Sequence, residues 1–440
     1  MKVGGAGWGS AVAVWAAAAW TGLCGVAGAQ ANFEDEPIGY SKRELADRVT
    51  RLRADLDANR ARLAHDPKWG YLPALLQALD MPVESQTLVF SKTSFQLRRI
   101  SPANPRAVYF GDDVYVGYVQ GGDVLEVSSV DPHLGGVFFT LGQDADGPPR
   151  FERRTHECLQ CHASSLTDNV PGHLVRSVFS DRQGYPILRA GTFVTTDASP
   201  FEERWGGWYV SGTHGAQRHM GNLTLDADQD RGDLDRDLGA NVADLASRID
   251  TTPYLSGHSD LVALMVLEHQ TQMHNAITKA NYQTRLALRD EAIIKEALGN
   301  ASPEPTESTK RRVAHAAEGV VKRLLFAGEA KLTEPVRGTS RFAEQFASRG
   351  RRDDQGRSLR DLDLNTRLFR YPCSFLIGSD AFAALPELVR HPIYDRIDAI
   401  LSERDPAPAF AHLSSEDRRA IRGILIATHA DFAKRVASRD

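Results

Sequence analysis

The spacing of hydrophobic positions changes twice along the chain, and each stretch predicts a different kind of element. Leu45, Val49, Leu52, Leu56 and Leu63 lie on one helical stripe among Arg and Asp residues, behind Ser41-Lys42-Arg43-Glu44, whose Ser and Glu three residues apart have the pattern of a capping box. An amphipathic helix starting at Ser41 is expected, followed by a shorter one over 71–79. The period then shortens. Leu88-Val89-Phe90, Ala107-Val108-Tyr109-Phe110, Val114 to Tyr118, Val124 to Val127 and Gly136 to Leu141 are β-prone runs separated by Gly, Asp and Pro. They predict a small antiparallel sheet, with further strands over 174–179, 186–188, 192–195 and 208–210. From about residue 256 the helical period returns: 259–297 with Ser259 or Asp260 as its cap, 308–326, shorter helices broken at Pro372, Pro386 and Pro392, and 415–436 with Ile421, Ile424, Leu425, Thr428 and Phe432 on one face. Residues 300–306, rich in Ser, Pro and Thr, read as a linker. The expected fold class is α+β, with an N-terminal helical segment at 30–85, a β-rich region at 86–255 and a helical region at 256–440.

The first 29 residues stand apart. Residues 4 to 31 carry no charge and follow Lys2, and the most apolar stretch, Ala11 to Trp20, precedes small-residue cleavage options at Ala27-Gly28-Ala29 and Ala29-Gln30-Ala31. This is the pattern of a secretory signal, 1–29, which places the mature protein in the periplasm or outside the cell. The same run is also long enough for an uncleaved anchor. No integral membrane domain is expected beyond it. Cys24 falls within the signal, and Thr21-Gly22-Leu23-Cys24 lacks the order of a lipid attachment site.

Charge narrows the partners. In 440 residues, 52 Lys+Arg against 57 Asp+Glu leave a formal net charge of -5 without a basic stripe, which argues against nucleic acid. Three cysteines remain in the mature chain, too few and too odd in number for a disulfide framework.

Two of them explain themselves. Cys158-Leu159-Gln160-Cys161-His162 is a CxxCH sequence, expected by chance only about 0.001 times in a chain of this composition. Two thiols three apart on one helical turn can each form a thioether to a porphyrin vinyl group, and the adjacent His162 then reaches the iron. A redox dithiol is the first alternative, but Phe151 to Glu157 is too polar for the buried strand that should precede it. A zinc site using His156, Cys158, Cys161 and His162 is the second; Cys161 and His162 diverge on a helix. Covalently held haem c is the expected cofactor.

The sixth ligand decides between electron carrier and enzyme. One candidate region is the loop 212–222, with Met220 as the preferred ligand beside His214 and His219. The other is the helical stripe Met265, His269, Met273 and Ile277, which reads first as core. Arg153, Arg154, Arg176, Arg189 and Arg204 are candidates to neutralise propionates, and Trp205, Trp208 and Tyr209 to stack at the porphyrin edge. Asp226, Asp228, Asp230 and Asp237 match four positions of a Ca2+ loop, but Arg231 stands where the turn needs Gly, so a solvated acidic loop is favoured. Cys373, in an apolar setting, reads as a buried small hydrophobe.

The run Cys158 to Ser165, Val170-Pro171-Gly172, Leu174 to Val178, Gly191-Thr192-Phe193, Glu203 to Val210, Gly212 to Gly215, Leu267 to Gln270 and Arg370 to Ser374 resembles a family of uncharacterised secreted bacterial proteins with a cytochrome c-like single haem site. The resemblance covers most of the mature chain. It implies haem binding and electron transfer to an unidentified redox partner. The expected protein is thus an exported monohaem c-type cytochrome; the rival is a haem enzyme of peroxidase or oxidase type, with His214 or His219 acting over an open iron.

Overall fold

The β-prone runs assemble into one seven-stranded antiparallel sheet. The computed structural model describes residues 33–440 apart from 227, 228, 230, 231, 233, 301, 439 and 440; the expected signal, with Cys24, lies outside the described residues. Strands β1 (Thr87–Val89), β2 (Arg106–Phe110), β3 (Val114–Tyr118), β4 (Val124–Asp131), β5 (Gly135–Gly142) and β6 (Phe151–Arg153) form a continuous meander, joined side by side in chain order. Two further strands, β7 (Val175–Val178) and β8 (Thr192–Thr195), make a separate hairpin, and β9 (Trp208–Tyr209) returns to pair with β1 at the far edge of the large sheet. The run at 186–188 contributes only a bridge from Pro186 to Ser180, because Leu188–Ala190 turns into a single 3-10 turn.

Period-two alternation decides which face goes where. In β4, Leu125 and Val127 are buried while Glu126 and Ser128 point to the other side and are half-buried. Leu88, Tyr109, Val116, Leu125, Val127, Phe139 and Leu141 share a core with Val49 and Leu52 of α1 (Arg48–Asp57) and with Leu72, Leu75 and Leu76 of α2 (Leu72–Ala78). Each such side chain contributes about 1.5–3 kcal/mol by leaving water. The opposite face brings Val89, Phe110, Tyr115 and Val130 into the core of the helical region.

The first helix starts later than its sequence pattern predicts. Asp47, not Ser41, is the cap: its Oδ1 accepts from the backbone N–H of Val49 and Thr50, and the Ser41 hydroxyl donates instead to Glu34. Leu45 and Leu63 therefore lie outside α1, packed on the same core from irregular chain. The one-turn α3 (Leu159–His162) comes between the two β segments.

The helical region is organised by α4 (Leu261–Ala297), 37 residues long and opened by Asp260, whose Oδ1 accepts from Val262 and Ala263 N–H. Every residue from 261 to 278 is buried, the expected state of a helix enclosed on all sides. Pairing between β10 (Gly212–Thr213) and β11 (Arg337–Gly338) ties the strand-rich and helical parts together. The described part of the expected 300–306 linker joins a helix hairpin: α5 (Glu307–Leu324) packs back on α4, Thr306 N–H donates to Glu291, and Lys295 donates to the carbonyls of Ser302 and Glu304. After α6 (Phe342–Ser348) and α7 (Asp380–Ala383) comes α8 (Glu387–Leu401), which continues through Pro392 because Val389, Ile393, Tyr394, Ile397 and Ile400 anchor both of its halves in the core. The last expected helix is two, α9 (Ser415–Thr428) and α10 (Ala430–Ala437), parted at His429, whose extended backbone and Nδ1 cap α10. Among the described residues no helix is long and apolar enough to cross a membrane.

Candidate functional site

The CxxCH sequence forms α3 and its flank. Cys161 N–H and His162 N–H both turn back to the Cys158 carbonyl, at 3.2 and 2.9 Å, so the two cysteines share one turn. Both thiols are free; Cys161 is exposed and Cys158 half-buried. Burial, then the carboxylates Glu126 and Glu157, push the Cys158 thiol up to about 11. A redox-active dithiol needs the opposite shift.

His162 is held by its back. Its Nδ1 lies 2.9 Å from the Gly172 carbonyl, which can only accept, so the proton sits on Nδ1 and the Nε2 lone pair is left for another partner. The ring packs on Phe138, with centroids 4.8 Å apart. Burial lowers the pKa of His162 and so keeps the imidazole neutral, the form that ligates a metal. Two free thiols three apart with a neutral imidazole so oriented are the donor set that a covalently attached haem requires. The nearby face of the sheet carries Arg106 and Glu126, paired at 2.6 Å, and Arg154, which donates to Thr140.

Two histidines that the sequence did not single out continue inward from this turn. The His173 ring centroid is 6.3 Å from that of His162 and 6.4 Å from that of His274. His173 Nε2 is 2.6 Å from the Ser128 hydroxyl, and His274 Nε2 is 2.9 Å from the Asp112 carbonyl. In each ring Nδ1 is buried and has no partner among the described residues. Burial keeps both neutral, lowering His274 to about 4 and His173 well below its ordinary value. A histidine in the turn Val170-Pro171-Gly172-His173, shortly after CxxCH, was the available signal.

The expected distal residues gather elsewhere, in a second cluster that unites the two candidate regions. His214 has both ring nitrogens engaged: Nδ1 with the Gln217 carbonyl at 2.8 Å and Nε2 with Asn241 N–H at 3.0 Å. His219 Nδ1 accepts from Gly221 N–H, and its ring packs on His214 at 4.7 Å and Trp205 at 5.4 Å. Trp205 Nε1 donates to Glu268 at 3.1 Å, and Arg204 pairs with the same carboxylate. Burial pushes Glu268 up to about 8 while the Arg204 guanidinium pulls it down. One residue on, His269 Nε2 is 2.8 Å from the Ser374 hydroxyl and Nδ1 is 3.5 Å from Asp197. Asp197, His269 and Ser374 fall in the order of an acyl-transfer triad, but Ser374 is 0% and His269 1% exposed, and they act as core hydrogen bonds. Met273 is likewise buried in the core. Met220 packs with Phe179, Ala190 and Leu225, and its sulfur accepts from the Ser177 hydroxyl at 3.6 Å.

The flanking groups divide in the same way. Arg204 belongs to Glu268, and Arg153 donates to the carbonyls of Tyr40 and Ser41. Arg176 donates to Thr192, and Arg189 to the Gln229 carbonyl at 3.5 Å. Trp208 Nε1 donates to the Arg176 carbonyl and Tyr209 to that of Pro102. Arg154 is the member of the set that stands close to Cys158. In the acidic loop, Asp226 forms a bidentate pair with Arg182 and Asp237 pairs with Arg218, whereas Asp228 and Asp230 lie outside the described residues. Cys373 is fully buried, and burial pushes its thiol up to about 12. Among the described residues no three His, Cys, Asp or Glu side chains come together as a metal shell. No family model, curated protein or solved structure matches the chain.

Proposed function

We propose that this chain is an exported monohaem c-type cytochrome, with Cys158 and Cys161 as the thioether-forming residues and His162 Nε2 as the axial ligand. The observation that carries this reading is the His162–Gly172 hydrogen bond, which leaves Nε2 as the free nitrogen on the same turn as two free thiols. Bound haem supplies a one-electron Fe(III)/Fe(II) couple. The Gly172 carbonyl keeps the proton on Nδ1, Phe138 limits rotation of the imidazole, and Arg106 and Arg154 stand on this face paired with Glu126 and Glu152. The exposure of Cys161 favours a tether near the surface, where a redox partner reaches it. The raised Cys158 thiol speaks against a dithiol reductase, and the lack of a clustered metal shell among the described residues gives no support to zinc.

The second reading, a haem oxidoreductase of peroxidase or oxidase type with an open sixth position, is favoured by the enclosure of Met220; with both His214 ring nitrogens engaged, it rests on His219 as its acid/base. A pyridine haemochrome spectrum of protein expressed with maturation machinery tests attachment. Colourless protein would end both readings. A low-spin ferric spectrum that becomes high-spin in Met220→Ala supports the carrier with Met220 as sixth ligand. A high-spin spectrum in the wild type supports the enzyme.

A further inference from the structure

The bond that orients His162 is made by a loop, and one face of α4 holds that loop from behind. Gly172 C=O, which accepts from His162 Nδ1, belongs to the same planar peptide unit as His173 N–H. That N–H donates to Asn275 Oδ1 at 2.9 Å, and Asn275 Nδ2 donates to the His173 carbonyl at 2.7 Å. The Asn275 amide therefore holds both backbone groups of His173, its N–H and its carbonyl. Asn275 is fully buried. The approach is so close that a Cβ on residue 172 would stand 2.1 Å from Asn275 Oδ1, which leaves glycine as the residue that fits.

Neighbouring positions on the same helical face support the hold. Thr278 and Lys279 follow at i+3 and i+4. Lys279 pairs with Asp168 at 2.9 Å. Thr278 and the Pro171 carbonyl crowd Gly135 together: a Cβ there would lie 2.4 Å from the Thr278 methyl and 2.6 Å from that oxygen.

We propose that Asn275 is a positioning residue for the proximal imidazole, acting through the peptide between Gly172 and His173. Its carbonyl draws on the peptide N–H and polarises the C=O at the other end of the same unit, as bonds in a chain reinforce one another. The more strongly that C=O accepts from Nδ1–H, the more electron density the imidazole offers through Nε2. The inference rests on the haem reading for its consequence, though not for its geometry.

Two readouts on the full-length protein test it. In holoprotein, Asn275→Ala is expected to weaken the imidazole as a donor and favour the reduced iron. The reduced-to-oxidised ratio at the wild-type midpoint should rise at least threefold, about 28 mV at about 59 mV per decade. Asn275→Asp keeps the acceptor for His173 N–H and should not move upward. Lys279→Ala, which removes the outer tether to Asp168 but keeps both Asn275 bonds, should move the potential by less than Asn275→Ala does. In protein expressed without maturation machinery, 15N shifts of the His162 ring should report Nδ1–H in the wild type and a mixture of tautomers in Asn275→Ala. An unchanged potential and tautomer in folded Asn275→Ala would overturn the proposal, as would an equal upward shift in both Asn275 variants. If Asn275→Ala does not fold, Asn275→Asp and the wild-type tautomer still decide it: an Nε2–H wild-type ring refutes it outright. Failure of haem to attach to the wild type would remove the cytochrome reading while leaving the tautomer result standing.

Discussion

Two histidine clusters meet the buried half of α4, one at His274 and Asn275 and the other at Glu268 and His269, and they differ in what their polar atoms are left to do. Around α3, the imidazoles are neutral, packed at a tilt on Phe138 and Tyr115, and the turn reaches the surface at Cys161. Around Glu268, Arg204, Asp197, His269 and Ser374 satisfy one another with side chains at most 5% exposed. The first arrangement leaves a ring nitrogen beside free thiols at an accessible edge. The second is sealed from solvent, and its unspent ring nitrogen, His219 Nε2, is buried. Histidine content therefore does not locate a site; the unspent donor or acceptor and the route to it do.

This contrast is most sharply broken by removing the sulfurs. The double variant Cys158→Ala, Cys161→Ala is expected to lose all covalent haem, read as colour that organic extraction removes, while urea unfolding of the apoprotein moves by less than about 1 kcal/mol. The closed cluster should behave in the reverse manner. Arg204→Ala takes the cationic partner from the buried Glu268 carboxyl and strands the Asp197 and Ser199 carbonyls, and is expected to cost about 3–5 kcal/mol in urea unfolding; replacing both Arg204 and Glu268 by apolar residues of similar volume should recover much of that loss. If Arg204→Ala is neutral for stability but abolishes haem binding, the two clusters have been assigned the wrong way round.

Smaller effects sharpen the same division. His214→Leu strands the Gln217 carbonyl and Asn241 N–H and should cost about 1–3 kcal/mol, with the haem spectrum unchanged. The pH dependence belongs to the neutral imidazoles. His274 falls from 6.5 in the unfolded chain to about 4 in the fold. Between those values the unfolded state binds a proton that the folded state does not, so stability declines as pH falls through this window and is restored as pH rises. His274→Gln should flatten the slope of unfolding free energy against pH by about one proton, measured by urea titrations at several pH values. An unaltered slope would mean that this ring is already protonated in the fold.

Much of the architecture was legible in the sequence because local pattern and long-range packing agree. The β-prone runs between residues 86 and 141 are set apart by Gly, Asp and Pro, and they pair in chain order as a meander. Asp260 announces α4 because a carboxylate before an apolar run has few other uses. Where two local solutions compete, the tertiary partner decides: Ser41 has the pattern of a cap, yet Glu34 takes its hydroxyl and Asp47 caps instead. His429 interrupts an unbroken apolar stripe because its side chain stabilises a new start. The CxxCH turn was legible for the same reason as the sheet, since all its parts are neighbours in sequence. His173 and Asn275 were not, because their meaning depends on a contact across 102 positions. Met220 stood out as a candidate ligand in the loop 212–222, and only its neighbours show how it is enclosed.

That separation has a consequence for the order in which the molecule is built. At roughly 5–20 residues per second, the CxxCH sequence emerges from the ribosome about 6–23 seconds before the amide that holds its following loop. A newborn chain would thus expose a swivelling imidazole beside two accessible sulfurs, and acquire its final alignment only when the long central rod arrives to lock the turn from behind.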